Sequence, residues 1–304
     1  MSAVNVKKPE QKPRSPWTDV WVQFRKHRLG VLGACLLGFL IIMVLAGPLV
    51  YPTDPEYIDV VADFASPTLE HPLGTDNLGR DILARVLVGG RVSMAVGVSV
   101  MLFSIFCGTA VGGLAGYFPK LDAPLMRFAD MLMSLPRLPI LLVTIMVFRD
   151  TLRTAFGPET GIFLLIVFVM SVMGWMGTAR IVRAQVLTVK ELEFVTAATC
   201  IGTGQSRILL RHILPNVLSP VMVAATLGVA GAILGESVLS FLGLGFPPDF
   251  ATWGRLLYDG LEFFDLTPHP VFWPGLFISL TVLSVNFVGD ALRDALDPRA
   301  RRRV

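Results

Sequence analysis

Residues 29–50 read LGVLGACLLGFLIIMVLAGPLV, an apolar run without a single charge. A helix of that length covers the roughly 30 Å of hydrocarbon in a bilayer at about 1.5 Å per residue. Four more runs of this kind follow, at Val92–Phe118, Gly161–Ala179, Leu218–Phe246 and Val271–Gly289, and Glu236 is the one charge they contain. A sixth, Met126–Phe148, carries Asp130 and Arg137 beside a Pro136/Pro139 break but is otherwise apolar. Proline is tolerated in a membrane helix where neighbours satisfy the freed carbonyls, so it counts as a span. With 304 residues, 53% hydrophobic, 16% charged and a mean hydropathy of +0.65, the chain is an all-α membrane protein with six transmembrane helices, not a soluble globule. The first run is too long for a cleaved signal peptide and is expected to stay as an anchor.

Basic residues set the expected orientation, because cytoplasmic loops hold the excess of Lys and Arg. They gather before Leu29 (Lys7, Lys8, Lys12, Arg14, Arg25, Lys26, Arg28), in Arg180–Arg211, and at the end (Arg293, Arg299, Arg301, Arg302, Arg303). The alternate segments are acidic instead: Tyr51–Arg91 contains Asp54, Glu56, Asp59, Asp63, Glu70, Asp76 and Asp81, and the loop before the last span adds Asp249, Asp259, Glu262 and Asp265. Both termini are therefore expected in the cytoplasm. The net charge of +3 is the sum of these two kinds of loop, which argues against nucleic acid as a partner.

Between the fourth and fifth runs lies TVKELEFVTAATCIGTGQSRILLRHILP, Thr188–Pro215. Thr188 and Glu191 have the spacing of a capping box, which predicts a helix carrying Leu192, Val195 and Thr199 on one face. Gly202 and Gly204 end it, Ser206 is placed to cap a second short helix, and Arg207 and Arg211 share that helix's face. Such a loop suits docking to a soluble partner, or equally an amphipathic stretch lying on lipid headgroups. Within the spans, Gly108, Gly112 and Gly116, and likewise Ala224, Gly228 and Ala232, recur at four-residue spacing, a pattern that lets helix backbones approach closely. Packing inside one bundle is the preferred reading of both stripes. Glu236, Ser237, Ser240 and Asn286 are the polar residues placed to line a translocation path, although pairing between helices explains them as well.

The same loop resembles the cytoplasmic loop of binding-protein-dependent ABC importer permeases, with Ala197, Ala198, Gly202, Leu214 and Pro215 at the motif's positions. Thr196 stands where that motif has Glu, His212 stands where it has a hydrophobic residue, and Glu193 lies one turn earlier. Further stretches, HPLGTDNLGRDILARVLVGGRVSMAVG (His71–Gly97), ESVLSFLGLGFPP (Glu236–Pro248) with Trp253-Gly254, and GDALRDALDPR (Gly289–Arg299), are similar to the C-type subunit of the dipeptide, oligopeptide and nickel permeases.

That resemblance implies a type I ABC importer transmembrane domain in a bacterial inner membrane, with its boundaries at an N-terminal segment 1–90, a permease core 91–293 holding a coupling loop 184–215, and a basic tail 294–304. It implies a homologous second permease subunit, two cytoplasmic ATPases and an extracytoplasmic binding protein as partners, besides membrane lipid. The coupling helix, expected at Glu191–Gly202, would sit in an ATPase groove, with Glu193, Thr196, Ala197, Ala198, Gly202, Arg207, Arg211, Leu214 and Pro215 forming the coupling surface. The chain has no G-x-x-x-x-G-K-[ST] loop, so ATP-Mg is expected on the partners and no cofactor or metal on this chain. Peptide is the expected cargo, with nickel chelates, glutathione and opine-like compounds as alternatives. An intramembrane enzyme is disfavoured, since all four histidines lie outside the apolar cores. So is a gradient-driven transporter, for which Glu236 and Asp130 give thin support.

Overall fold

The structure, a computed structural model, describes residues 16–248 and 250–296. Most of the two basic termini, and Asp249, lie outside these residues. The chain is helical almost throughout, and among the described residues the one β-type contact is an isolated bridge between Thr75 and Asp81. A short helix α1 (Pro16–Lys26) leads into α2 (Arg28–Val50), whose first turn is capped by His27, its Nδ1 accepting from the Gly30 N–H at 3.0 Å. An extended segment with one 3₁₀ turn (Val60–Ala62) then reaches α3 (Ile82–Tyr117). After it come α4 (Pro119–Ser134), α5 (Arg137–Phe156), α6 (Pro158–Val189), α7 (Glu193–Cys200), α8 (Gln205–Ile208), a π turn (Leu209–Ile213), α9 (Leu214–Phe241), α10 (Trp253–Leu261) and α11 (His269–Leu296).

Among the described residues five helices are long and apolar enough to cross a membrane, and α4 with α5 form a pair bent by 84° that brings the number to six if it counts as one span. The packing of α3 on α6 shows that this pair does return across the bundle. A Cβ added at Gly108 would meet Thr178, at Gly112 Val182, and at Gly116 Val186, so the two helices run parallel. The chain between two parallel neighbours has to recross. By the same reading α2 and α11 are antiparallel, Gly30 facing Ala291 and Gly33 facing Phe287, and α3 and α9 are antiparallel, Gly97 facing Ile233 and Gly113 facing Leu214. The start of α2, the end of α11 and the α6–α9 loop consequently share one face of the bundle. The bend between α4 and α5 falls at Leu135-Pro136, since Leu135 is held extended ahead of the proline.

Proline inside α2 is matched by a specific donor. Pro48 has no N–H for the Val44 carbonyl, and Arg91 of α3 supplies one, Nε to Val44 O at 3.0 Å and a terminal nitrogen to Leu45 O at 2.7 Å. The second span therefore starts at Ile82, well before the uncharged run at Val92, because its two arginines are both engaged. Arg85, 2% exposed, holds Asp76 at 2.6 Å and lies 3.5 Å from Asp259 of α10. Arg80 binds Asp76 and Arg255 binds Asp259, each at 2.8 Å, so five charges alternate in sign across the cap on the end of the bundle opposite the α6–α9 loop.

The HPLGTDNLGRD stretch is largely explained by this cap. Asp76 Oδ1 accepts from the N–H groups of Leu78 and Arg80, Gly74 and Gly79 take positive φ, and Asp81 Oδ1 caps α3 through the Ala84 N–H at 2.7 Å. Asp81 Oδ2 also meets His71 Nδ1 at 2.8 Å and the Tyr51 hydroxyl at 2.9 Å. Partial burial, with Asp81 behind it, pushes the Tyr51 phenol above its ordinary pKa, so it remains a proton donor.

Candidate coupling surface and transport face

The face that carries both ends of the bundle also carries the α6–α9 loop. Here the helix starts differ from the sequence expectation. Thr188 does not open a new helix: α6 continues through Val189, and the Thr188 hydroxyl donates back to Ala184 O at 3.1 Å. α7 instead begins at Glu193 behind Leu192, with no side-chain cap, and α8 starts behind Gly204, which leaves Ser206 inside it. The capping-box and Ser206 assignments are thus corrected: packing extends α6 well past Ala179, where its uncharged run ends, and α8 opens behind Gly204. α7 spans Glu193–Cys200, shorter than the helix expected at Glu191–Gly202.

Its exit is the turn that Gly202 was expected to make. Gly202 has φ +80°, its N–H donates to Thr199 O at 3.0 Å, and the Thr203 N–H donates to Ala198 O at 3.1 Å, which together form a Schellman motif. Gly204, at φ −65°, needs no glycine conformation. At the entry to α9, Pro215 cannot donate to the preceding turn, and the chain widens into a π turn in which the Leu214 N–H reaches Leu209 O.

α7 is held from within by an apolar cradle. Val195 and Ala198 are buried against Val182, Val186 and Val189 of α6 and against Ile208, Leu209 and Ile213. Thr199, placed on that face by the sequence, is exposed, as are Glu193, Thr196 and Ala197. Leu192, Phe194 and Ile201 are exposed as well, Ile201 to 82%. Arg207, Arg211 and Pro215 are exposed beside it, and Leu214 is half-buried. The result is a short helix whose Val195 and Ala198 share one buried cluster with residues of α6 and α9, with an apolar, largely uncharged outer side. Two ion pairs brace α4 to the same end of α6: Arg183 with Asp122, at 2.5 and 2.7 Å, and Arg180 with Asp130, at 2.5 Å.

The intramembrane polar residues are not where a path would need them. Glu236 is fully buried, accepting from Ser93 of α3 at 3.0 Å and from Ser240 at 2.7 Å, and Ser93 in turn accepts from the Trp253 N–H. Ser237 donates to Ile233 O and lies against Gly254, so a substitution at that glycine would strike the α9 backbone. Glu236, Ser237 and Ser240 form a junction of α3, α9 and α10, the pairing between helices that the sequence offered beside a place along a path; the Ser93 partner is far away in sequence. Asn286 is half-buried on α11, apart from this junction.

What does open outward is a small-residue face. The Gly108/Gly112/Gly116 stripe is consumed by α6, whereas Gly228 is exposed, and a Cβ at Gly177 or Gly231 would meet nothing within 4 Å. Between α3, α6 and α9 this face holds a cavity of about 170 Å³ lined by Ser104, Arg137, Gly174, Thr178, Ala224 and Gly228 among others. Sequence reading passed over Ser104 and Thr178, since isolated hydroxyls in apolar helices are common, and took Arg137 only as a blemish on a span.

Comparison with known proteins fits this architecture. Residues 104–302 match the family described as binding-protein-dependent transport system inner membrane component, and residues 15–67 match the N-terminal transmembrane domain of oligopeptide transport permease C. The chain belongs to this permease family. Relatives align nearly end to end: the oligopeptide transport system permease protein OppC of Haemophilus influenzae is 41% identical over 95% of this chain and 90% of its own length. OppC of Bacillus subtilis is 35% identical over 99% and 95%, and the dipeptide transport system permease protein DppC of the same organism 39% over 93% and 86%. As a permease of this family, the chain is a multi-pass protein of the cytoplasmic membrane and works within a transporter complex.

Proposed function

We propose that this permease is one membrane half of an ATP-driven importer of peptides, paired with a homologous second permease, driven by two cytoplasmic ATPases that bind ATP-Mg, and supplied by an extracytoplasmic binding protein. The observation that carries this reading is α7: a rigid helix with a buried inner side and an apolar outer side, on the face shared by both ends of the bundle. An exposed patch of this kind marks a partner site. This reading puts that face in the cytoplasm, which the basic residues of the α6–α9 loop support.

The physics of coupling follows from the cradle. ATPases closing around ATP supply differential binding energy between two arrangements of the complex. A helix seated in an ATPase groove and packed on Val182, Val186 and Val189 passes that displacement directly into α6, and through Ile213 and Val217 into α9. Because α3 and α6 touch along glycines, the two move together. The small-residue face of α3, α6 and α9 then forms this chain's wall of the path, with the second permease opposite. Peptide is taken as cargo because the relatives named above are oligopeptide and dipeptide permeases.

The test is omission. Proteoliposomes containing this chain, a second permease and the ATPases, with a loaded binding protein outside, should accumulate labelled peptide only with ATP inside. Dropping any one component should abolish uptake. Uptake sustained by this chain as the sole membrane subunit, or by an ion gradient without ATP, would overturn the assignment.

A further inference from the structure

Arg137 opens α5 directly after the Leu135-Pro136 break, at the 84° bend between α4 and α5. Its side chain is exposed and lines the cavity between α3, α6 and α9, and it makes no ion pair or hydrogen bond with any described residue. The neighbouring arginines of α6 contrast with it, since Arg180 and Arg183 are each spent on an aspartate. An unpaired cation among membrane helices is costly to keep and, where it faces a cavity, marks a site for something that passes or binds there.

A second group in the same cavity points to the same kind of ligand. Ser104 is 8% exposed, and its hydroxyl, buried beside Gly174, has no hydrogen-bond partner. A buried hydroxyl without a partner is uncommon unless something else fills its need. Among the described residues no carboxylate lines the cavity; the rest of its wall is glycine, alanine and apolar side chains with Thr178. Such a wall has no means of reading side-chain identity. It presents a cation and a hydroxyl, which together complement a carboxylate.

We infer that Arg137 and Ser104 form a carboxylate-binding station in the transport path, taking the C-terminal carboxylate that cargo peptides have in common whatever their side chains. The inference rests on the peptide-importer reading above. A single arginine without further cationic partners suits a station that must also release: it holds a terminal charge while the path reorganises, then exchanges it for water.

The experiment uses the complete complex in proteoliposomes, with a labelled tripeptide and its C-terminal amide, each loaded beforehand to equal occupancy on the binding protein. Arg137→Gln should slow uptake of the free acid about ten- to a hundredfold, the weight of one charge-assisted hydrogen bond, and change uptake of the amide less than twofold. Arg137→Lys should restore most of the free-acid rate, Ser104→Ala should give a smaller loss confined to the free acid, and binding-protein-stimulated ATPase activity should persist in all three. An equal loss for acid and amide, or no loss for either, overturns the station and leaves the importer reading standing. If the unmodified complex imports neither peptide although each is delivered, the importer reading itself fails, and the station with it.

Discussion

Alanine at Gly108 and alanine at Gly113 are the same chemical change on the same helix, yet the structure predicts opposite outcomes. Each substitution gains the roughly 1 kcal/mol by which alanine exceeds glycine as a helix former. At Gly113 the new Cβ meets only Leu214 Cδ2 at 3.4 Å, an ordinary contact with the end of a side chain. At Gly108 it falls 2.6 Å from Thr178 Cβ and 2.8 Å from both Thr178 Cγ2 and the Trp175 carbonyl. Threonine is β-branched and stiff, and a carbonyl inside α6 cannot swing away, so the helices have to separate by most of an ångström. Overpacking of this kind costs about 1–3 kcal/mol. Gly108→Ala should accordingly be less stable than Gly113→Ala by about 1–3 kcal/mol, measured by equilibrium unfolding of the purified chain in mixed micelles. Since propensity cancels between the two, the difference isolates the α3–α6 contact. Equal stability of the two variants would refute the parallel glycine-mediated packing, and with it the argument that α4 and α5 recross the bundle.

Other substitutions test other parts. Gly202→Val should lose transport while inserting normally, because a left-handed φ costs a side-chain-bearing residue about 1–2 kcal/mol and a β-branched one more, while the empty space around Gly202 removes any steric alternative; ATPase co-purification and uptake report it. Arg85→Met leaves Asp76 and Asp259 without their shared cation and should destabilise the outer cap by about 3–5 kcal/mol, readable as proteolysis of the 51–81 segment from outside. Glu236→Leu should cost about 1–3 kcal/mol for each serine hydroxyl it strands, with cargo preference unchanged, as expected of a junction and not of a path.

Much of this fold is visible in the sequence because hydrocarbon imposes a simple rule: the uncharged runs pick out α2, α3, α6, α9 and α11, though α3 starts and α6 ends about ten residues beyond its run. The rule weakens where polar groups are satisfied by distant partners. Arg91 compensates a proline on another helix, Arg85 shares a cation between two aspartates, and Ser93 meets Glu236 across 143 residues of sequence. None of these pairings has local periodicity, so the span containing Arg85 and Arg91 was placed too late and Ser93 was not named as the partner of Glu236. Within the loop, Gly202 was legible because a left-handed turn leaves few residues to choose from. The capping box failed because packing against Val195 and Ile213 extends α6 through Thr188, a tertiary preference that overrides a local one. Arg137 and Ser104 show how much of a site depends on what is missing around a residue, which sequence does not display.

The central claim is that α7 is the contact through which separate ATPases move this bundle. A photoreactive benzoylphenylalanine placed at Ala197, on the exposed side of α7, tests it in intact cells, with the same probe at Val61, 94% exposed on the opposite face, as control. The account predicts that the Ala197 probe crosslinks to an ATPase subunit, with a yield that changes when ATP hydrolysis is blocked, while the Val61 probe captures no ATPase. Crosslinking of an ATPase from Val61, or none from Ala197 in a complex that still imports, would contradict it.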